Sequence, residues 1–137
     1  MANLVGCLVD SNVLLDIATE DARWLEWSSA ALADAITLGP VLINPLVYAE
    51  VSTNYDTIEE LDEVLPEEIF QRHPLPYAAG FLAAKAFRAY RARSGNRRSP
   101  LQDFYIGAHA AVAGLSLLTR DARRYRTYFP TVPLLAP

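Results

Sequence analysis

The sequence predicts an α/β fold, a three-layer α/β/α sandwich around a central parallel sheet, and three observations carry that expectation. Short continuous apolar runs at 5–9, 41–43 and 115–119 read as strands buried on both faces, as strands of parallel sheets are. Helical stretches separate them, and strands alternating with helices build parallel sheets covered on both sides. The 137 residues are 52% apolar and 20% charged, which suits one packed core and a single domain over 1–137.

The elements follow in order. Val5-Gly6-Cys7-Leu8-Val9 ends in Asp10 and is the first strand. Cys7 inside it reads as a small core residue, since nothing nearby lowers its pKa toward that of a nucleophile. A short helix covers 13–18. Asp21 reads as the N-cap of a longer helix over 22–38, stopped by Gly39-Pro40. The strand 41–43 is closed by Asn44-Pro45, and the chain turns helical from Leu46 through Glu50. Thr57-Ile58-Glu59-Glu60 has capping-box spacing and opens an acidic helix toward Leu65, stopped by Pro66. Residues 69–72 read as an edge strand before Pro74 and Pro76. Pro76 suits the first turn of a long helix over 77–93, ended by Ser94-Gly95-Asn96. Ser99-Pro100-Leu101-Gln102 again has capping-box spacing, with Pro at the first helical position of a helix that Gly114 ends. A strand over 115–119, a helix over 122–128 and a small strand over 132–135 complete the pattern.

Composition narrows the function classes. No apolar run reaches the roughly 18 residues that span a bilayer, and Met-Ala-Asn-Leu-Val-Gly lacks the features of a signal peptide. A cytoplasmic protein without membrane contact is expected. One cysteine excludes an intramolecular disulfide and a multi-cysteine zinc site. The net charge of −4 hides an asymmetry. Residues 1–68 carry fourteen carboxylates against Arg23 alone, a net of −13, and residues 69–137 carry eleven basic residues against Asp103 and Asp121, a net of +9. A basic half can present a phosphate-attracting face even in an acidic protein.

Four carboxylates fall at element boundaries. Asp10 ends the first strand, Glu50 lies on the helix after the second, Asp103 sits in the first turn of a capped helix, and Asp121 follows the strand 115–119. Open parallel sheets bind ligands beyond the carboxyl ends of their strands, where strand order reverses. Each acid alone has a plain reading: Asp103 favours a helix dipole, Asp121 caps the next helix, Glu50 is solvated. Together in one crevice they repel one another and need a cation. Oxygen ligands without thiolate or a His pair suit Mg²⁺ or Mn²⁺, which polarise phosphate and activate water.

The segments Val9-Asp10-Ser11-Asn12-Val13-Leu14-Leu15-Asp16, Tyr48-Ala49-Glu50-Val51, Gln102-Asp103-Phe104-Tyr105-Ile106-Gly107-Ala108-His109-Ala110 and Leu118-Thr119-Arg120-Asp121 resemble a PIN domain. They are most similar to the VapC-like toxin ribonucleases of bacterial toxin–antitoxin pairs. The resemblance spans nearly the whole chain in order and spacing, with Gln102 standing where the family often has Pro. It implies that Asp10, Glu50, Asp103 and Asp121 are the metal-binding acidic quartet of a Mg²⁺-dependent endoribonuclease acting as a toxin. Asn12 and Thr119 would be auxiliary polar groups. It also implies an antitoxin that blocks the site, and a homodimer.

Other readings stand beside it. One is a PIN-like nuclease without a toxin role. An aspartate-dependent phosphatase on an α/β sheet is another, but it wants a second Asp two residues after its nucleophile, and Asn12 stands there. A non-catalytic binding module would be favoured by a missing acid, and none is missing. Lys85, Arg88 and Arg91, at i, i+3 and i+6, form a stripe on the long helix that Arg93, Arg97 and Arg98 extend toward Asp103. It reads either as a solvated face or as an RNA phosphate track. Arg120, Arg123, Arg124 and Arg126 around Asp121 read the same way. Asp16 and Asp62 read as solvated or local helix charges, His109 as packing, His73 as surface, and Gly107 as room for helix–sheet packing. Trp24 and Trp27 form an apolar stripe for the core or for a dimer or antitoxin contact.

Overall fold

Strands of three residues suffice for the sheet because nearly every side chain in its centre is apolar and shut away from water. The computed structural model describes residues 6–94 and 100–137. The five strands are β1 (Cys7–Val9), β2 (Val41–Ile43), β3 (Phe70–Arg72), β4 (Ser116–Leu118) and β5 (Leu134–Leu135). The helices are α1 (Ser11–Ala18), α2 (Leu25–Leu38), α3 (Pro45–Ser52), α4 (Ile58–Val64), α5 (Tyr77–Ser94), α6 (Leu101–Ala113) and α7 (Ala122–Tyr128). All strand pairs are parallel, in the order β3-β2-β1-β4-β5, with Cys7 opposite both Val41 and Ser116.

That order fixes the layers. The chain steps outward from β1 through β2 to β3, then returns past β1 to β4 and β5. Right-handed crossovers running in opposite directions place α1–α4 on one face and α5–α7 on the other. Accordingly α1 packs on α2 and α3, α3 on α4, and α5 on α6. The direction reverses between β1 and β4, which opens a crevice at the carboxyl ends of those two strands.

Leu8, Val9, Leu117 and Leu118 are 0% exposed and Leu42 and Ile43 1%; burying each contributes about 1.5–3 kcal/mol. On the α5–α7 face, Phe104 is surrounded by the rings of Phe87, Tyr90, Tyr128 and Phe129, at centroid distances of 5.6, 5.2, 5.6 and 6.5 Å. Gly107 serves this cluster. A Cβ there would lie 2.4 Å from Phe129, so the glycine admits an aromatic ring and not, as expected, the sheet. Gly114 closes α6 in the left-handed region at φ 69°.

Several helix ends differ from expectation. Asp21 caps a separate turn, its Oδ1 accepting from the Arg23 and Trp24 N–H groups at 2.9 Å each, and α2 begins only at Leu25. Thr57 Oγ1 accepts from the Glu60 N–H at 3.1 Å, but the Glu60 carboxylate accepts from Asp56, one residue before the capping-box position. Pro100 is the N-cap of α6 and not its first residue, and Ser99 lies outside the described residues. No helix among the described residues is long and apolar enough to cross a membrane.

Candidate functional site

Asp10 leaves β1 at its carboxyl end and is 5% exposed. It occupies the N-cap of α1, yet its side chain makes no cap hydrogen bond. Its Oδ2 instead accepts from Thr119 Oγ1 at 2.8 Å, Tyr125 Oη at 3.0 Å and Asn12 Nδ2 at 3.3 Å. Burial pushes the Asp10 carboxyl up from its ordinary value; the Thr119 and Tyr125 hydrogen bonds oppose this and the charge of Glu50 adds to it. Tyr125, itself buried, is held well above the usual phenol range by desolvation and by Asp10. It therefore stays a donor.

Thr119, 0% exposed, ties the crevice together. Its hydroxyl donates to Asp10 and accepts from Asn12 Nδ2 at 3.3 Å and from the Asp121 N–H at 3.1 Å. That uses the whole capacity of a hydroxyl, one donor and two lone pairs. The Asn12 carbonyl oxygen accepts from the Arg120 N–H at 3.4 Å. One turn of α1 thus holds the loop after β4.

Glu50, half-buried on α3, accepts a hydrogen bond at Oε1 from the hydroxyl of Ser11. Asp103, in the first turn of α6, has Arg124 Nη1 at 3.9 Å from its Oδ2. Burial raises the Asp103 carboxyl, Arg124 opposes the rise, and the charge of Asp121 reinforces it. Asp121 is exposed at the N-cap of α7 and makes no side-chain cap bond, so the plain capping reading does not hold. The charge of Glu50 thus reaches Asp10 and that of Asp121 reaches Asp103. Tyr125 feels both Asp10 and Asp103.

These residues can be tested against a cation. Among the described residues, no three His, Cys, Asp or Glu side chains are grouped to hold an ion. The donors are all hard oxygens, however, and Mg²⁺ takes only one or two carboxylates, filling its other positions with water and substrate phosphate. Two carboxylate pairs fit that ion without a preformed cage. The three side-chain bonds to Asp10 all fall on Oδ2 and leave Oδ1 out of that set.

Asp16 is not the solvated charge its sequence context suggests. It is 3% exposed and accepts from Ser28 Oγ at 2.8 Å and Arg120 Nε at 2.7 Å. Arg120 also lies over the Trp24 ring at 5.4 Å. It is engaged within the fold, with a third of its side chain in water. The signal was in the sequence: Asp16 follows Val13 by three residues and so shares its buried helix face. Tyr125, also missed, stands between Ala122 and Phe129 at the same kind of spacing on α7.

His109 is 1% exposed, as its packing role requires. Asn44 Oδ1 accepts from the Val47 N–H at 2.9 Å, which turns its amide nitrogen toward His109 Nδ1 at 3.0 Å. Nδ1 must accept, so the ring is neutral with its proton on Nε2. Burial and His73 both push the imidazole down. His73 is half-buried at the edge of a surface pocket, its backbone N–H donating to the Ile43 carbonyl at 3.0 Å. Asp62 is also paired, with Arg72 at 3.1 Å and the Tyr48 hydroxyl at 3.0 Å. Cys7 is buried and its thiol pushed up by desolvation, away from nucleophilic chemistry. Trp27 packs against the core, and Trp24 precedes α2 edge-on to it.

Lys85, Arg88 and Arg91 are exposed on α5, and none forms an ion pair among the described residues. Lys85 and Arg91 lie over Phe81 and Phe87 of their own helix. Arg97 and Arg98 lie outside the described residues.

A parallel sheet with a buried carboxylate at its switch point, fixed by a hydroxyl, a phenol and an amide, defines the class of α/β domain. The PIN domain family model matches residues 7–130, and the chain belongs to that family. Three solved structures share the fold. VapBC2 from Rickettsia felis, bound to a DNA fragment from its promoter, has 14% identity and a TM-score of 0.69, over 96% of this chain and 98% of that one. VapBC-1 from nontypeable Haemophilus influenzae has 12% identity and a TM-score of 0.69, over 96% and 97%. A toxin–antitoxin complex from Klebsiella pneumoniae has 20% identity and a TM-score of 0.60, over 94% and 95%. No curated protein matches the chain in sequence.

Proposed function

We propose that this chain is a metal-dependent endoribonuclease and the toxin of a toxin–antitoxin pair, acting in the cytoplasm as one PIN-like domain. The observation that carries this reading is Asp10, buried at the switch point of a PIN fold and fixed by Thr119, Tyr125 and Asn12, in a chain that also holds Glu50, Asp103 and Asp121. The four acids would hold Mg²⁺ or Mn²⁺. Such an ion, when bound, neutralises phosphodiester charge and acidifies water. The chain's own contribution is placement. Thr119, Tyr125 and Asn12 fix Asp10, and Ser11 fixes Glu50. Lys85, Arg88 and Arg91, with Arg97 and Arg98, supply positive charge for an RNA backbone, positioning it without reading sequence.

The antitoxin reading is supported by fold neighbours that are toxin–antitoxin complexes and by an apolar groove of about 290 Å³ on the α1–α4 face. Leu14, Ile17, Leu32, Val51 and Val64 are among the residues lining it. An amphipathic antitoxin helix fits such a groove. A homodimer would cover Tyr77 and Phe81, 98% and 70% exposed on α5. The phosphatase reading loses ground, because the Asn12 amide is committed to Asp10 and Thr119 and carries no transferable acid.

The test is cleavage of cellular RNA with Mg²⁺ or Mn²⁺ against chelator, wild type against Asp10→Asn, with new 5′ ends mapped. Ion-dependent ends made by wild type alone support the reading. Equal ends from both proteins overturn it. Growth arrest on expression, relieved by the neighbouring small reading frame, tests the toxin role separately.

A further inference from the structure

Beside the acidic crevice, α5 and α7 enclose a cleft of about 480 Å³ lined by Tyr90, Arg93, Asp121, Arg123, Arg124 and Tyr128, with Thr127 at its side. Its volume falls within the about 300–1,000 Å³ of small-ligand sites. Its chemistry is unlike the rest of the surface. Two other arginines are neutralised within the fold, Arg72 by Asp62 and Glu67 and Arg120 by Asp16, and those of the α5 stripe stand on an open helix face with no cleft between helices. Here Arg93 and Arg123 form no ion pair among the described residues, and Arg124 stands between Asp103, at 3.9 Å, and the Phe104 ring. The cationic side is also organised. The Arg93 guanidinium lies 5.8 Å from the Tyr128 ring centroid, and Tyr128 stands edge-on to Tyr90 at 6.0 Å. Phe104 anchors both tyrosines from beneath.

We infer that this cleft is a nucleotide subsite that holds the residue of single-stranded RNA next to the phosphodiester at the acidic crevice. Arg93 and Arg123 take its phosphate, and Tyr128, half-buried beside Arg93, offers ring surface to its base, with Tyr90 held behind it on Phe87 and Phe104. Asp121 belongs to both places, lining the cleft and acting on Asp103, so a strand lying in the cleft passes its next phosphate to the quartet. Aromatic stacking requires a base that has left its own stack, which single strands supply and duplexes do not. The inference rests on the nuclease reading for the identity of the strand, and it differs from the α5 stripe in placing the contact between two helices.

Direct binding tests it without relying on cleavage. A labelled oligoribonucleotide is titrated by fluorescence anisotropy against full-length Asp10→Asn protein, alone and with Arg93→Gln plus Arg123→Gln, Tyr128→Leu or Arg23→Gln added. A matched RNA duplex, inorganic phosphate and a nucleoside monophosphate form the other arms. The arginine pair should weaken single-strand binding about tenfold or more and lower the salt slope by about 1.4, the loss of two phosphate contacts on a single strand. Tyr128→Leu should weaken it about tenfold with the salt slope unchanged. Arg23→Gln, which lines no part of the cleft, should do neither. Competition by the monophosphate but not by inorganic phosphate supports base recognition; competition by both at equal concentration reduces the site to an anion pocket and overturns the inference. So does equal affinity for duplex and single strand, or binding unmoved by the arginine pair. If wild type fails to cleave while these binding effects appear, the nuclease reading fails and the subsite stands.

Discussion

Arg120 Nε donates to Asp16 Oδ2 at 2.7 Å across 104 residues of sequence. The pair joins α1 to the short loop that carries Thr119 and Asp121, and Ser28 on α2 donates to the same Asp16 oxygen at 2.8 Å. Arg120 is flanked by two residues of the candidate site, so its anchor sets their position.

Breaking this pair from one side should therefore harm both stability and the crevice. Arg120→Ala leaves a buried carboxylate without its cation and should cost about 3 kcal/mol, the lower end for a broken buried pair because Arg120 keeps a third of its side chain in water. Chemical denaturation measures it. A double-mutant cycle with Asp16→Asn should recover part of the loss; strict additivity would show that the two residues do not act as a pair.

Amide substitutions in the quartet should separate function from folding. For Asp10 and Asp103 the folded pKa is raised, so each contributes stability below its ordinary value that is lost as pH rises through the folded value. At neutral pH both carboxylates are a cost. Asp10→Asn and Asp103→Asn should therefore melt at the same temperature as wild type or higher at pH 7, with the difference closing in acid. Ion-dependent RNA cleavage should fall below about 1%.

The sequence made much of this legible and left specific parts hidden. The strands were visible because burial on both faces leaves uninterrupted apolar runs such as 41–43. Asp10, Glu50 and Asp121 were visible because they follow strands, and Asp103 because it opens a helix. Asp16 was misread because its partner lies on another element, and a charge with a distant partner looks locally like a solvated one. Tyr125 was overlooked among seven tyrosines, since nothing local marks a phenol that bonds a carboxylate 115 residues away. The start of α2 was misplaced because an Asp that caps a turn and one that caps a helix present the same pattern.

Neutral His109 makes stability depend on pH in the opposite sense to Asp10 and Asp103. Its folded pKa lies below the ordinary 6.5, so the folded state takes up a proton later than the unfolded one. Its stabilisation is complete above about pH 6.5 and is lost as pH falls through the lower folded value. Thermal melts between pH 7.5 and 5 should show this decline, and His109→Gln should flatten it. The same slope in both proteins would assign it to other groups.

Gly107 tests the packing of the aromatic face. Gly107→Ala places a methyl carbon against the Phe129 ring and should cost about 1–3 kcal/mol by overpacking. Pairing it with Phe129→Leu should relieve the clash and restore part of the loss. Thermal denaturation of the three variants reads this directly.

Cys7 stands opposite Ser116 and Val9 opposite Leu118 in the register of β1 against β4, and that pairing governs when the site can exist during synthesis. A growing chain carries Asp10 out of the ribosome early, yet its carboxylate stays unsupported until Thr119 and Tyr125 emerge more than a hundred residues later. At about 5–20 residues per second, that delay is about 5–20 seconds. Closing so long a loop is the slow kind of folding event, in which local helices wait on a distant strand. A chain that stops short of β4 has helices and apolar runs but no crevice, so truncated products should be inert toward RNA.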